Sequence, residues 1–329
     1  MALQRLRRAA FKTLFRLNKP VLLALADDLR NEDMDVRLSA AEALLSAGEP
    51  AVPVLIDALQ DADARVRGKA KLTLGKIGVP AIAAVPSLVL ALQDDDEQVR
   101  YAAAWALGRL GESAAGAIPA LSQALSDEHA TVRRAAAWAL RGIGASVAPF
   151  VAALIDALGD EDRFVWTAAA AALANLGELA LPAIFGALRD ERPSVRVAAL
   201  QGLVFSANQA QTHSALTVYA IADSLRDDDK DVRYAAAYAL ADIRGRAAPA
   251  VPALIAALGE EPDPDVSRSI ARAFGHIGPS ATPAVPALIE ALDDGDDSVR
   301  STAAWSLEQL GTPEAAQAVA AYRAGESCR

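Results

Sequence analysis

One 18-residue stretch, Asp94 to Gly111, limits the fold more than any other feature of the chain. It reads DDDEQVRYAAAWALGRLG, and close copies follow Val132-Arg133, Val232-Arg233 and Val299-Arg300. Each copy is an acidic turn, a Val-Arg pair, an alanine-rich run with leucine or isoleucine, and in most copies a glycine. That is the pattern of a short helix with its caps. The valines stand at Val36, Val66, Val99, Val132, Val165, Val195, Val232, Val266 and Val299, at intervals of 30, 33, 33, 33, 30, 37, 34 and 33 residues. A period of this size describes a stack of helix pairs, in which each pair buries an apolar face only against its neighbours.

In six of the nine pairs the first helix carries a proline six residues before its last leucine, at Pro53, Pro86, Pro119, Pro182, Pro252 and Pro286. Proline has no N–H and suits a first helical turn, so these residues mark helix starts. An acid recurs five residues before the valine, at Asp61, Asp94, Asp127, Asp160, Asp190, Asp227 and Asp294. Such an acid can cap the turn, and in a stack it can meet the arginine after the valine. The expected ladder of paired charges comprises Asp61, Arg67, Asp94, Arg100, Asp127, Arg133, Asp190, Arg196, Asp227, Arg233, Asp294 and Arg300. Trp166 and Ser267 stand where arginine is expected and should interrupt it.

These residues resemble the HEAT-like repeat of the phycobilisome-lyase type, with its D-x4-V-R-x2-A-A-x-A-L-G-x-I-G core, over about residues 18–311. The resemblance implies an all-α fold, a right-handed α-solenoid of about nine helix pairs. First helices would lie on the convex side and second helices would line a concave groove. On this reading residues 1–18 are a basic amphipathic capping helix, 19–311 the nine repeats, and 312–329 a C-terminal capping helix and tail. Related repeats serve as scaffolds, as inhibitors, as bilin-lyase subunits and as metal-binding deoxyhypusine hydroxylases, so the fold does not by itself assign the chemistry.

Charge and cysteine content narrow the function. The net charge is −10, yet residues 1–20 hold Arg5, Arg7, Arg8, Lys12, Arg16 and Lys19 and no acid, leaving 26 basic against 42 acidic groups elsewhere. A body this acidic repels phosphate, which argues against a nucleic-acid partner. The single cysteine, Cys328, cannot form an intramolecular disulfide, and the amino terminus lacks the apolar run of a secretory signal; a cytoplasmic monomer is expected. The three histidines (His129, His213, His276) show no metal-ligand spacing, the His-Glu pairs of the hydroxylase relatives are missing, and no nucleophile motif is present. The reading is therefore a non-enzymatic chain without a metal or cofactor.

The candidate site comes from helical phase. Advancing 100° per residue from each valine places the +4, +7, +8 and +11 positions in the core and the +2, +6 and +9 positions on the opposite, solvent-facing side. At those outward positions stand Tyr101, Trp105, Arg134, Trp138, Arg141, Tyr234, Tyr238, Arg272 and Trp305. Aromatic and arginine residues anchor protein interfaces, so this strip is the expected partner-binding surface, with Arg134 and Arg141 supplying directional hydrogen bonds. Rings stacked to seal a groove floor would give the same pattern. The partner is expected to be a neutral or basic protein or peptide. Two alternatives follow, a bilin lyase or chromophore-handling subunit with a bilin on Trp105 and Trp138, and a membrane-associated adaptor using the helix predicted at residues 3–17.

Overall fold

The structure is a computed structural model that describes residues 19–209 and 215–326. The predicted basic amphipathic helix at residues 3–17, the Cys328 tail and part of the insertion before the seventh repeat lie outside the described residues. The fold is an all-α solenoid of helix pairs, and its helices divide between Leu176 and Gly177 into two compact units.

The first unit contains α1 (Lys19–Asp28), α2 (Met34–Ala47), α3 (Val52–Ala58), α4 (Ala64–Ile77) and α5 (Val85–Ala91). It continues with α6 (Glu97–Leu110), α7 (Ile118–Ala124), α8 (Ala130–Ile143), α9 (Val151–Ala157) and α10 (Arg163–Asn175). The second unit contains α11 (Leu181–Ala187), α12 (Pro193–Gln209), α13 (Ala215–Asp223), α14 (Lys230–Asp242) and α15 (Val251–Glu260). It ends with α16 (Pro264–Ile277), α17 (Val285–Glu290), α18 (Asp297–Leu310) and α19 (Pro313–Glu326). Within each unit consecutive second helices pack on one another: α4, α6, α8 and α10 in the first, and α12, α14, α16 and α18 in the second.

Local chemistry sets these boundaries. Pro53, Pro86, Pro119, Pro182, Pro252 and Pro286 all lie at the first positions of their helices. Most of the second helices are capped by the acid three residues before the valine, whereas α8 has His129 there with no side-chain cap bond. Asp63, Asp96, Asp162, Asp229, Asp263 and Asp296 each accept the N–H two residues ahead. The acid five residues before the valine has a different task, tightening the turn: Asp61, Asp94 and Asp160 accept the N–H of Asp63, Asp96 and Asp162. At the far end a glycine takes a positive φ, +76° at Gly78 and +81° at Gly144, which a side chain resists. In the seventh repeat Arg244 occupies that place with φ +54°.

The core repeats with the sequence. Val66, Val99, Val132 and Val165 are fully buried, as are Leu74, Leu107 and Leu173, and Leu140 nearly so. Alanines between them, such as Ala103 and Ala136, let the second helices approach closely. Each leucine buried this way contributes roughly 2 kcal/mol.

Arginine side chains join the repeats. Arg67 holds Asp94 through Nε and Nη2 at 2.7 and 2.8 Å, while its Nη1 donates to the Asp61 and Ala62 carbonyls of its own turn. Arg100 with Asp127 and Arg133 with Asp160 repeat the geometry at 2.7 and 2.6 Å. Burial alone would raise the Asp94 carboxyl. The Arg67 hydrogen bond and the Asp96 N–H, with the Lys71 and Arg67 charges, hold it below the ordinary value.

Some expected pairings differ. Asp61 is held by Arg30 of the preceding turn, and Arg37 donates from Nη1 to the Asn31 and Glu32 carbonyls. Asp190 pairs with Arg192 in its own turn. Arg300 donates to the Asp294 carbonyl and forms its ion pair with Asp297 one turn away, and Ser267 supplies no guanidinium to the Asp294 carboxylate. Arg233 is held by Glu261 at 2.8 and 2.9 Å. Glutamate there fills the aspartate position, and a search for aspartate alone misses it.

Candidate functional site: aromatic faces of the second helices

In the first unit the outward residues of α6 and α8 converge. Tyr101, Trp105, Arg134 and Trp138, with Gln98, Thr131 and Ala135, line one open cavity of about 580 Å³. Both helices place these side chains on the same flank because +2 and +6 are about one turn apart. Trp138 remains 37% exposed, so its ring faces solvent as well as protein.

Each tryptophan is also part of the stack. A Cβ on Gly75 would lie 2.7 Å from the Trp105 ring, and a Cβ on Gly108 would lie 2.5 Å from the Trp138 ring. Trp305 covers Gly275 in the second unit at 2.4 Å by the same measure. At these three glycines the +9 position thus lies under a ring of the next repeat and not in open solvent, whereas Arg141, the +9 residue of α8, is exposed. Trp and Gly stand thirty residues apart in all three pairs, a signal present in the sequence and missed by the helical-phase reading.

The charged members behave unequally. Arg134 is committed within the protein: it donates from Nε to Asp162 at 3.0 Å and from Nη2 to the other carboxylate oxygen, and its guanidinium lies 4.7 Å from the Phe164 ring centroid. Two of its donors are therefore spent, and its charge is compensated. Arg109, which helical phase did not select, sits over Trp105 at 6.0 Å. Arg141 is exposed and does not line the cavity.

The second unit arranges its outward residues differently. Tyr234 and Tyr238 stack on each other along α14, with centroids 6.5 Å apart and planes 21° apart. Tyr234 borders a charged depression of about 290 Å³ with Lys230, Asp231, Asp263, Asp265, Val266 and Arg268. Tyr238 and Arg272 border a cleft of about 60 Å³ with His276. Arg272 donates from Nε to His276 at 3.2 Å, and the Trp305 ring lies 5.4 Å from the imidazole. Burial, with the Arg272 and Arg244 charges, lowers the His276 pKa below its ordinary value, which favours this acceptor role.

Among the described residues, no group of three or more His, Cys, Asp or Glu side chains is placed to hold a metal ion, and no helix is long and apolar enough to cross a membrane.

The HEAT-repeat family matches in overlapping segments over residues 20–89, 52–141, 85–174, 118–204, 151–241, 181–260 and 251–327. The chain belongs to the HEAT-repeat family. No curated protein matches it. Among solved structures it is similar to the crystal structure of Kap121p, with 16% identity and a TM-score of 0.65 over 89% of this chain and 38% of that one. It is similar to Kap95p, solved in work on RanGDP, with 16% identity and a TM-score of 0.65 over 93% of this chain and 48% of that one. Yeast importin-β (Kap95p) aligns at 16% identity and a TM-score of 0.59, over 94% and 48% of the two chains. This HEAT-repeat chain spans less than half the length of these structures, and at that identity the likeness concerns the fold alone.

Proposed function

We propose that the chain is a non-enzymatic protein-interaction scaffold, and that it docks a partner protein or peptide on the aromatic face of its first unit. One observation carries this reading. Three aromatic side chains share a cavity of about 580 Å³, and the Tyr101 hydroxyl and both indole N–H groups have no hydrogen-bond partner among the described residues. Apolar rings with unspent donors suit a partner that brings both a side chain and backbone carbonyls. Kap121p, which shares the fold, has been solved bound to RanGTP and to the extreme C-terminus of Cdc14p. Exposed Asp95, Glu128 and Glu161 in the turns beside the cavity favour neutral or basic groups where a partner crosses that edge.

The test is capture of partners by wild type and by a Tyr101→Ala, Gln98→Ala variant, followed by direct titration of each purified captured protein. Neither substitution removes a ring that covers a glycine. A partner bound by wild type and at least tenfold more weakly by the variant supports the reading. Equal affinity for every partner would assign the aromatics to packing alone.

A further inference from the structure

The opposite edge of the same face has the other charge. Lys76, Arg109 and Arg141 occupy the last turns of α4, α6 and α8. All three are exposed, and none has a carboxylate partner among the described residues. Glu112, the acid nearest to Arg109 in sequence, pairs with none of them, and Asp162 is held by Arg134. A cation at a helix C-terminus is favoured by the dipole. The dipole does not account for Arg109 lying over the Trp105 ring.

Trp105 rests on Gly75, the residue before Lys76, and carries Arg109 over its ring. Trp138 rests on Gly108, the residue before Arg109, and precedes Arg141 by three residues. The helices approach closely here: a Cβ on Gly142 would lie 3.0 Å from the Gly108 carbonyl oxygen. Arg109 and Arg141 flank that approach.

We infer that the partner is an extended peptide segment carrying an apolar or aromatic side chain next to a carboxylate. The apolar group lies against Trp105 and Trp138, and the carboxylate is taken by Arg109 and Arg141, whose planar forks match it. The inference rests on the proposed docking role of the aromatic face. The protein is acidic overall, but its turn acids are at the other ends of these helices and many are already bound in the ladder. The local charge beside the rings is therefore positive.

The test uses three fluorescent synthetic peptides with blocked ends, titrated into the full chain. One combines Asp, Glu and Phe. A second has Lys for each acid, and a third has Ser for each Phe. The acidic peptide with Phe should bind most tightly, weaken with salt, and lose at least tenfold in affinity with Arg109→Glu, Arg141→Glu. The inference is overturned if the basic peptide binds as well, if the charge reversal changes nothing, or if the acidic peptide shows no binding up to about 1 mM. A basic peptide that binds and depends on Tyr101 overturns the inference while leaving the docking surface intact. If every bound peptide ignores Tyr101→Ala, the docking surface itself is withdrawn. Circular dichroism confirms that each variant is folded.

Discussion

The two units use one repeat pattern, and in both a tryptophan covers a glycine of the preceding repeat (Trp305 over Gly275 in the second), yet their outward faces otherwise differ. In the first unit Trp105 and Trp138 each cover a glycine of the preceding repeat, and Arg67, Arg100 and Arg133 form three matching rungs. In the second unit Tyr234 and Tyr238 stack within one helix, and the rungs vary. Arg196 reaches Asp227 through Nη2 while its buried Nε has no partner, and Arg233 uses a glutamate. The difference shows that the repeat fixes the helices, while the residue chosen at each outward position decides whether a face becomes an aromatic cavity or a charged depression.

The largest expected effect tests the rungs. Arg133→Met leaves Asp160, only 9% exposed, without its partner and should cost about 3–5 kcal/mol in urea unfolding. Arg196→Met should cost less, because its single pairing already leaves one buried donor unsatisfied. Equal losses would remove the distinction between the units.

Glycine substitutions sharpen it next. Gly108→Ala drives a methyl group into the Trp138 ring and the Ala139 backbone and should cost about 1–3 kcal/mol. Gly186→Ala in the second unit meets nothing within 4 Å and should stabilise, by about 0.5–1 kcal/mol through helix propensity. Replacing Trp138 together with Gly108 should recover part of the loss, and simple additivity would show that the ring and the glycine are uncoupled.

Lys71 gives a third contrast. It stands where the neighbouring repeats have Ala104 and Ala137, is fully buried, and its amine makes no hydrogen bond. Burial lowers its pKa from 10.5 to about 8, partly opposed by Asp94. Between those values the unfolded chain holds the proton that the folded chain has released, so this group's contribution to stability rises with pH across that window and is constant below it. Lys71→Met should therefore stabilise by about 1–3 kcal/mol at pH 7 and abolish the slope. A destabilised Lys71→Met protein would mean that the amine is better satisfied than its surroundings imply. The smallest effect is in the second unit: Arg244→Gly relieves a positive φ and should add about 1 kcal/mol.

Much of the fold was legible because the repeated residues have local causes. Proline positions located helix starts, and the Val-Arg spacing located the second helices. The site was less legible. Helical phase places a residue on one helix but says nothing about the next repeat, so its +9 rule puts Gly75 and Gly108 on the open side although neighbouring rings cover them. The same limit concealed the Arg134–Asp162 pair, which spans 28 residues, and the position of Arg109 over Trp105. Glu261 was overlooked for a simpler reason, since it performs the aspartate's task with one more methylene.

The central claim is that the aromatic face of the first unit binds a partner in addition to closing the stack. The most direct measurement compares wild type with Tyr101→Ala, Arg109→Glu, because neither position covers a glycine or forms a rung. Partner affinity and urea unfolding would be measured on the same preparations. The account predicts at least a tenfold loss of affinity with unfolding changed by less than about 1 kcal/mol. Unchanged affinity for every partner of the wild-type protein would contradict it.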